Sequence, residues 1–330
     1  MSISVRPVSA GDLARDNGVL VRPLREEDLP VADHIMRLAF GTFLGLPNPL
    51  TFMGDADYVR TRWAADPAAA FGAEVGGELV GSNFATKWGS VAFFGPLTVR
   101  PDFWDRGVAQ RLLAATMELF ERWEIRHTGL FTFAESPKHV ALYQKFGFWP
   151  RFLTPIMSKP VEPTADSPRW SRYSEVPEDE REECLRACRE LTDTIYEGLD
   201  LEQEIRAVQT QGLGESVLLW DDSKLLGFAV CHCGPGSEAG SGACYIKFGA
   251  ARPGAEAAEI FGQLLDACEA LASTEGMSRL IAGVNTARRE AYRRMLARGF
   301  RTDILQGVTM HRPDEPGYDR ADVYAVDDWR

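Results

Sequence analysis

One spacing constrains what this chain can fold into. Arg100-Pro101 returns as Arg252-Pro253, Leu112-Leu113 as Leu264-Leu265, and Gly147-Phe148 as Gly299-Phe300, each pair 152 residues apart. Met157-Ser158-Lys159-Pro160 returns as Met310-His311-Arg312-Pro313, with one residue more between. An offset held without a gap from Arg100 to Phe148 marks an internal duplication, so one supersecondary unit is used twice. The 330 residues suit two domains better than one. The stretch 158–168, with Pro160, Pro163 and Pro168 and no apolar periodicity, reads as a linker. The expected organisation is a first domain over 1–160 with its core at 19–160, a Pro-rich linker at 161–168, a second domain over 169–313 and an acidic tail over 314–330. The tail carries Asp319, Asp322, Asp327 and Asp328 and either packs back over the first domain or lies solvated; solvation is the expectation. Residues 5–13 echo 21–29, as an extra strand or an upstream extension.

Within the first copy, strands and helices alternate. A strand is expected at 20–24, a helix from the acidic run at 26–28 to about Phe40, a second helix at 55–65, and a hairpin of 69–75 and 79–87 around Gly76-Gly77. A strand follows at 91–99. Val108, Leu112, Ala115, Leu119 and Trp123 keep helical spacing over 107–123. A strand at 130–133, a short helix at 139–146 and closing strands near Ile156 complete a mixed α/β unit. The fold class is mixed α/β: two tandem domains, each a mostly antiparallel sheet flanked by helices.

Composition removes some functions. The formal net charge of −12 is opposite to what a nucleic-acid binder needs; it suits a cationic amine, although acidity also serves solubility alone. No apolar run approaches the roughly 18–20 residues of a membrane span, and Met1 to Arg6 lack a secretory apolar stretch. The six cysteines all fall in the second half, which reads as reduced thiols in a cytoplasm. Cys231-His232-Cys233 continues an apolar strand, and no second Cys/His pair stands at ligand spacing, so no metal is expected.

The chemistry concentrates where a strand ending at Val99 runs through Pro101 into the helix begun by Trp104-Asp105-Arg106-Gly107-Val108-Ala109. The first amides of a helix lack internal partners and the dipole adds partial positive charge, so an anionic phosphate can rest there if side chains stay small. Gly107 and Ala109 keep that approach open, and Arg106 adds charge at the rim.

This stretch resembles the hallmark of the GNAT superfamily of N-acetyltransferases, Gln/Arg-x-x-Gly-x-Gly/Ala, with Trp104 in place of the first polar residue. Downstream, Ser136-Pro137-Lys138-His139-Val140-Ala141-Leu142-Tyr143 through Gly147-Phe148 is similar to the family's Asn-x-x-Ala-x-x-Leu-Tyr-x-x-x-Gly-Phe, with Ser136 for Asn and His139 for Ala. The resemblance covers roughly 19–160. It implies that the amides of Asp105, Arg106, Gly107, Val108, Ala109 and Gln110 hold the pyrophosphate of acetyl-CoA or another short acyl-CoA. Leu97, Thr98 and Val99 would pair with the pantetheine arm, Ser136 and His139 would lie against the cofactor, and Tyr143 would protonate the departing sulfur. The implied reaction is direct acyl transfer to an amine, most simply a primary amine of a small molecule, with chemistry in the first domain.

Direct transfer also needs a proton acceptor for the amine. Glu135 is the best carboxylate near the motif, Glu74 a weaker one, and a water chain an alternative. Trp88, Phe93 and Phe94 are candidate walls of the acceptor pocket. At the same offset Arg106, Gly107, Ala109 and Tyr143 become Ala258, Glu259, Phe261 and Met295. A carboxylate and a phenyl ring there oppose a phosphate by an amount on the order of kcal/mol. The second copy is therefore read as degenerate, serving as a pocket wall, a homodimer surface or a stabiliser. Two other readings stay open: an acyl-CoA sensor or scaffold without turnover, and transfer of a longer acyl group or to a protein side chain.

Overall fold

A computed structural model describes residues 18–162 and 170–330. The echo at 5–13 and most of the Pro-rich linker fall outside the described residues. The first repeat contributes β1 (Val19–Pro23), α1 (Leu29–Phe43), α2 (Tyr58–Ala65), β2 (Ala70–Val75), β3 (Glu78–Trp88), β4 (Val91–Phe94), β5 (Thr98–Val99), α3 (Val108–Arg122), β6 (His127–Phe133), α4 (Pro137–Gln144) and β7 (Trp149–Pro160). The second contributes β8 (Ser171–Arg172), α5 (Arg181–Ile195), α6 (Glu202–Gln211), β9 (Gly214–Asp221), β10 (Lys224–Gly234), β11 (Gly240–Ala251), α7 (Ala257–Thr274), β12 (Arg279–Gly283), α8 (Arg289–Ala297), β13 (Arg301–Arg312) and β14 (Ala325–Val326). The fold is mixed α/β, and the 152-residue offset carries β7 onto β13 and the start of β6 onto that of β12.

The periodic apolar face of α3 explains why it forms. Val108, Leu112, Leu113 and Leu119 are buried together with Phe94 and Phe148 against the sheet. The expected single strand at 91–99 is a correction: Gly95-Pro96 divides it into β4 and β5, both paired with β3. Proline has no N–H to give a ladder, so continuous pairing stops there.

The strands run in the order β1-β2-β3-β4-β6-β13-β7-β12-β11-β10-β9-β8. Each repeat has a parallel pair, β4 with β6 and β11 with β12. Its last strand, however, joins the other repeat: β13 pairs with β6, β7 pairs with β12, and β7 and β13 pair with each other. The two copies exchange their closing strands at the centre of one sheet.

The acidic tail corrects the expectation of solvation. Asp319 and Asp327 flank the buried Arg288 guanidinium at 2.7 and 3.0 Å, and Asp328 accepts from the Tyr245 hydroxyl at 3.0 Å. Trp329 lies so close over Gly129 that a Cβ there would sit 2.0 Å from its ring. Composition pointed outward, but each of these three carboxylates has a buried donor facing it. Asp322 stays exposed, as do Asp314 and Glu315 where the tail begins.

Candidate acetyl-transfer site

β4 runs parallel to β6 only from Val91 to Phe93, opposite His127 to Gly129. Beyond that point β6 continues against β13, while β5 stays on β3, so the strands diverge. The backbone from Gly95 to Val99 is left with an edge that no strand among the described residues covers. Leu97, Thr98 and Val99 line the cavity of about 670 Å³ that opens there. An uncovered strand edge can accept an extended polar chain by main-chain pairing.

At one end of the cavity α3 begins. Gly107 has φ +83° and Asp105 φ +62°, and no side chain caps the helix. A left-handed turn followed by free first-turn amides forms an anion-binding concavity. Asp105, Gly107, Val108, Ala109 and Gln110 line it. Arg106 does not; its guanidinium lies 4.8 Å from the centre of the Phe103 ring. Trp104, the departure from the motif, donates its indole N–H to the Val99 carbonyl at 2.7 Å and so ties the loop to β5. Lys138, which sequence reasoning passed over, lines the same end and pairs with Asp105 at 2.7 Å.

Tyr143 projects into the cavity from α4, and burial raises its phenol pKa despite a hydrogen bond with Thr132. It therefore stays a proton donor throughout the neutral range. His139, one helical turn earlier, packs 4.8 Å from the Phe43 ring; burial, then Lys138, lower its pKa and keep the imidazole neutral. Two further expected site residues, besides Arg106, do not reach the cavity. Ser136 is the N-cap of α4, accepting from the His139 amide at 3.4 Å, because serine is short and the helix needs a cap there. Glu135 lies exposed on the turn before it.

Other expectations are also redirected. Glu74 is bound by Arg22. Trp88 and Phe93 face the opposite layer, where Trp88 donates to Glu204 at 3.0 Å; only Phe94 of the three aromatics lines the cavity. The far wall comes from residues that no motif marks: Tyr58, and Trp329 and Arg330 of the tail. Arg62 holds that wall, donating to the Gly95 carbonyl at 2.6 Å, to Glu238 at 2.9 Å and to the main-chain oxygen of Arg330. Burial alone would raise the Glu238 pKa, but Arg62 and Lys247 draw it below the usual carboxylate range.

In the second repeat the corresponding edge is filled. Gly249 and Ala250, 152 residues beyond Leu97 and Thr98, pair with Val326 and Ala325 of β14, and the Ala251 amide donates to the Tyr324 carbonyl at 3.0 Å. β10 occupies the other side of β11, so the tail lies in the cleft between β11 and β12. Phe261 is fully buried in the core beneath α7. Among the described residues no group of three or more His, Cys, Asp or Glu is placed to hold a metal ion.

Residues 41–148 match the family model of the acetyltransferase (GNAT) family. No curated protein sequence matches the chain. Among solved structures, one provisionally named acetyltransferase from Pyrococcus horikoshii superposes with a TM-score of 0.67 at 14% identity, over 94% of this chain and 95% of that one. A GCN5-related N-acetyltransferase from Sphaerobacter thermophilus gives 0.57 at 15%, over 90% and 96%. A tandem GNAT protein from the clavulanic acid biosynthesis pathway gives 0.55 at 13%, over 89% and 98%. At such identities the structures speak for the fold, and the family match speaks for the domain. Residues 41–148 thus form a GNAT-family acetyltransferase domain, set in a chain that has the tandem GNAT fold.

Proposed function

We propose that the chain transfers acetyl from acetyl-CoA directly to a primary amine of a small molecule, in the cleft between β5 and β6. The repeats at 1–160 and 169–313 act as two units, the first for chemistry and the second as wall and support. The observation that carries this reading is one cavity lined by an uncovered strand edge, an uncapped helix start and a buried phenol. These features fit the three parts of acetyl-CoA: pantetheine on Leu97, Thr98 and Val99, pyrophosphate on the amides of 105–110, thioester beside Tyr143.

Acetyl-CoA brings an activated acyl group, so the chain needs no nucleophile of its own. The Tyr143 hydroxyl donates its proton toward the departing sulfur. The neutral His139 imidazole is the lining group suited to take the proton that the attacking amine loses, in place of Glu135. Six unpaired thiols support a reducing, cytoplasmic setting.

Tyr143→Phe is expected to lower kcat by about 100-fold while the Kd for acetyl-CoA holds. Gly107→Glu, a copy of the second repeat's residue, is expected to abolish acetyl-CoA binding measured by calorimetry. Normal binding by the second variant, or normal turnover by the first, refutes the assignment.

A further inference from the structure

We infer that the acceptor is a monoamine on a flat apolar or aromatic body, not a polyamine or an aminoglycoside; this rests on the reading just given. The cavity extends past Tyr143 into an aromatic cage. Phe40 and Phe43 of α1 meet Phe52, Phe133 and His139, with centroid distances of 5.1 Å for Phe40–Phe52 and 4.8 Å for both Phe43–Phe133 and Phe43–His139. Aromatic faces at these spacings receive a flat apolar group by offset or edge packing. The exposed apolar side chains of Leu44, Met53 and Ile304 line the same cavity, and exposed apolar groups at a cavity mouth suit the entry of an apolar ligand.

The charges point the same way. Among the described lining residues Asp105 is the single carboxylate side chain, and it sits on the phosphate loop paired with Lys138. Buried carboxylates elsewhere in the chain are engaged by Arg62, Lys247 and Arg288. A polycation entering the cage would lose hydration at each ammonium with no carboxylate side chain of the cage to replace it. One amine survives this test, since it must be neutral to attack. Tyr58 adds a single polar handle: its hydroxyl is buried, has no hydrogen-bond partner and belongs to the cavity lining. Burial, the main cause, pushes its pKa up to about 12, so it remains a donor at neutral pH. The cage is assigned to the amine rather than to the acyl chain because its apolar rim faces solvent, where the free amine enters.

The test is thiol release by the full chain with acetyl-CoA and four amines: phenylethylamine, tryptamine, spermidine and kanamycin. The aromatic monoamines are expected to show kcat/KM at least about ten-fold above the polycations. Phe43→Ala is expected to raise KM for tryptamine about ten-fold and leave KM for acetyl-CoA unchanged. Phe43 is only half-buried, so the variant keeps its fold, which circular dichroism checks. Polycations used as well as or better than the aromatic amines overturn the inference while acetyl transfer stands. Octanoyl-CoA preferred to acetyl-CoA with the same amine also overturns it, because the cage then holds the acyl chain. Release with no amine at all overturns both this inference and the reading beneath it.

Discussion

At the residue scale, His127 and His232 show what burial costs. His127 shares a 2.9 Å hydrogen bond with His311 under the Trp329 ring, and burial, with His311 adding, lowers its pKa to about 3. His232, buried beside Lys247, falls to about 4. A histidine whose pKa is lower folded than unfolded binds more protons when unfolded. Its contribution is present in full above about pH 6.5 and is lost as pH falls toward the folded value. Each should therefore remove up to about 1.4 kcal/mol of stability per pH unit below 6.5. Urea unfolding at pH 7.5 and pH 5 measures this; His127→Gln should flatten the dependence, and an unchanged slope contradicts the account. At this scale the sequence was legible where main chain does the work. Gly107 and the Leu97–Val99 edge could be found from a small residue and a strand end. Ser136 could not, because a cap and a ligand contact use the same hydroxyl. Trp104 could not either, since its role depends on a carbonyl that only folding brings within reach.

At the scale of elements, periodicity found the helices and hairpin within a few residues, because each buries one continuous apolar face. Periodicity says nothing about which copy of a strand pairs with which. β7 and β13 occupy the same place in each repeat and offer the same ladder to β6 or β12, so the exchange is decided by the connections and by packing between the copies. The tail was misjudged for a related reason: its acids look solvated until Arg288 and Tyr245 are placed against them. Trp329→Ala is predicted to cost about 3 kcal/mol in urea unfolding, through the cavity left over Gly129. It should also raise KM for the amine and spare acetyl-CoA affinity, since the ring walls the acceptor end. A change confined to acetyl-CoA affinity would place Trp329 elsewhere.

For the whole molecule, the central β13–β7 pairing makes the halves mutually dependent. Residues 1–165 and 166–330 produced as separate chains are each predicted to aggregate or stay unfolded. Produced together they are predicted to associate with 1:1 stoichiometry by light scattering and to recover thiol release. A first fragment that folds and turns over alone would contradict this, because its β6 and β7 would need to find other neighbours.

The exchange also says something about ancestry. A one-repeat chain that swapped its last strand with a twin would form a symmetric dimer carrying two equal clefts. Fusing the twins frees one cleft from duty. Here β14 has moved into that spare cleft, and the residues after it continue to the wall of the working one. The vacated binding site has become the anchor for part of its sibling's pocket.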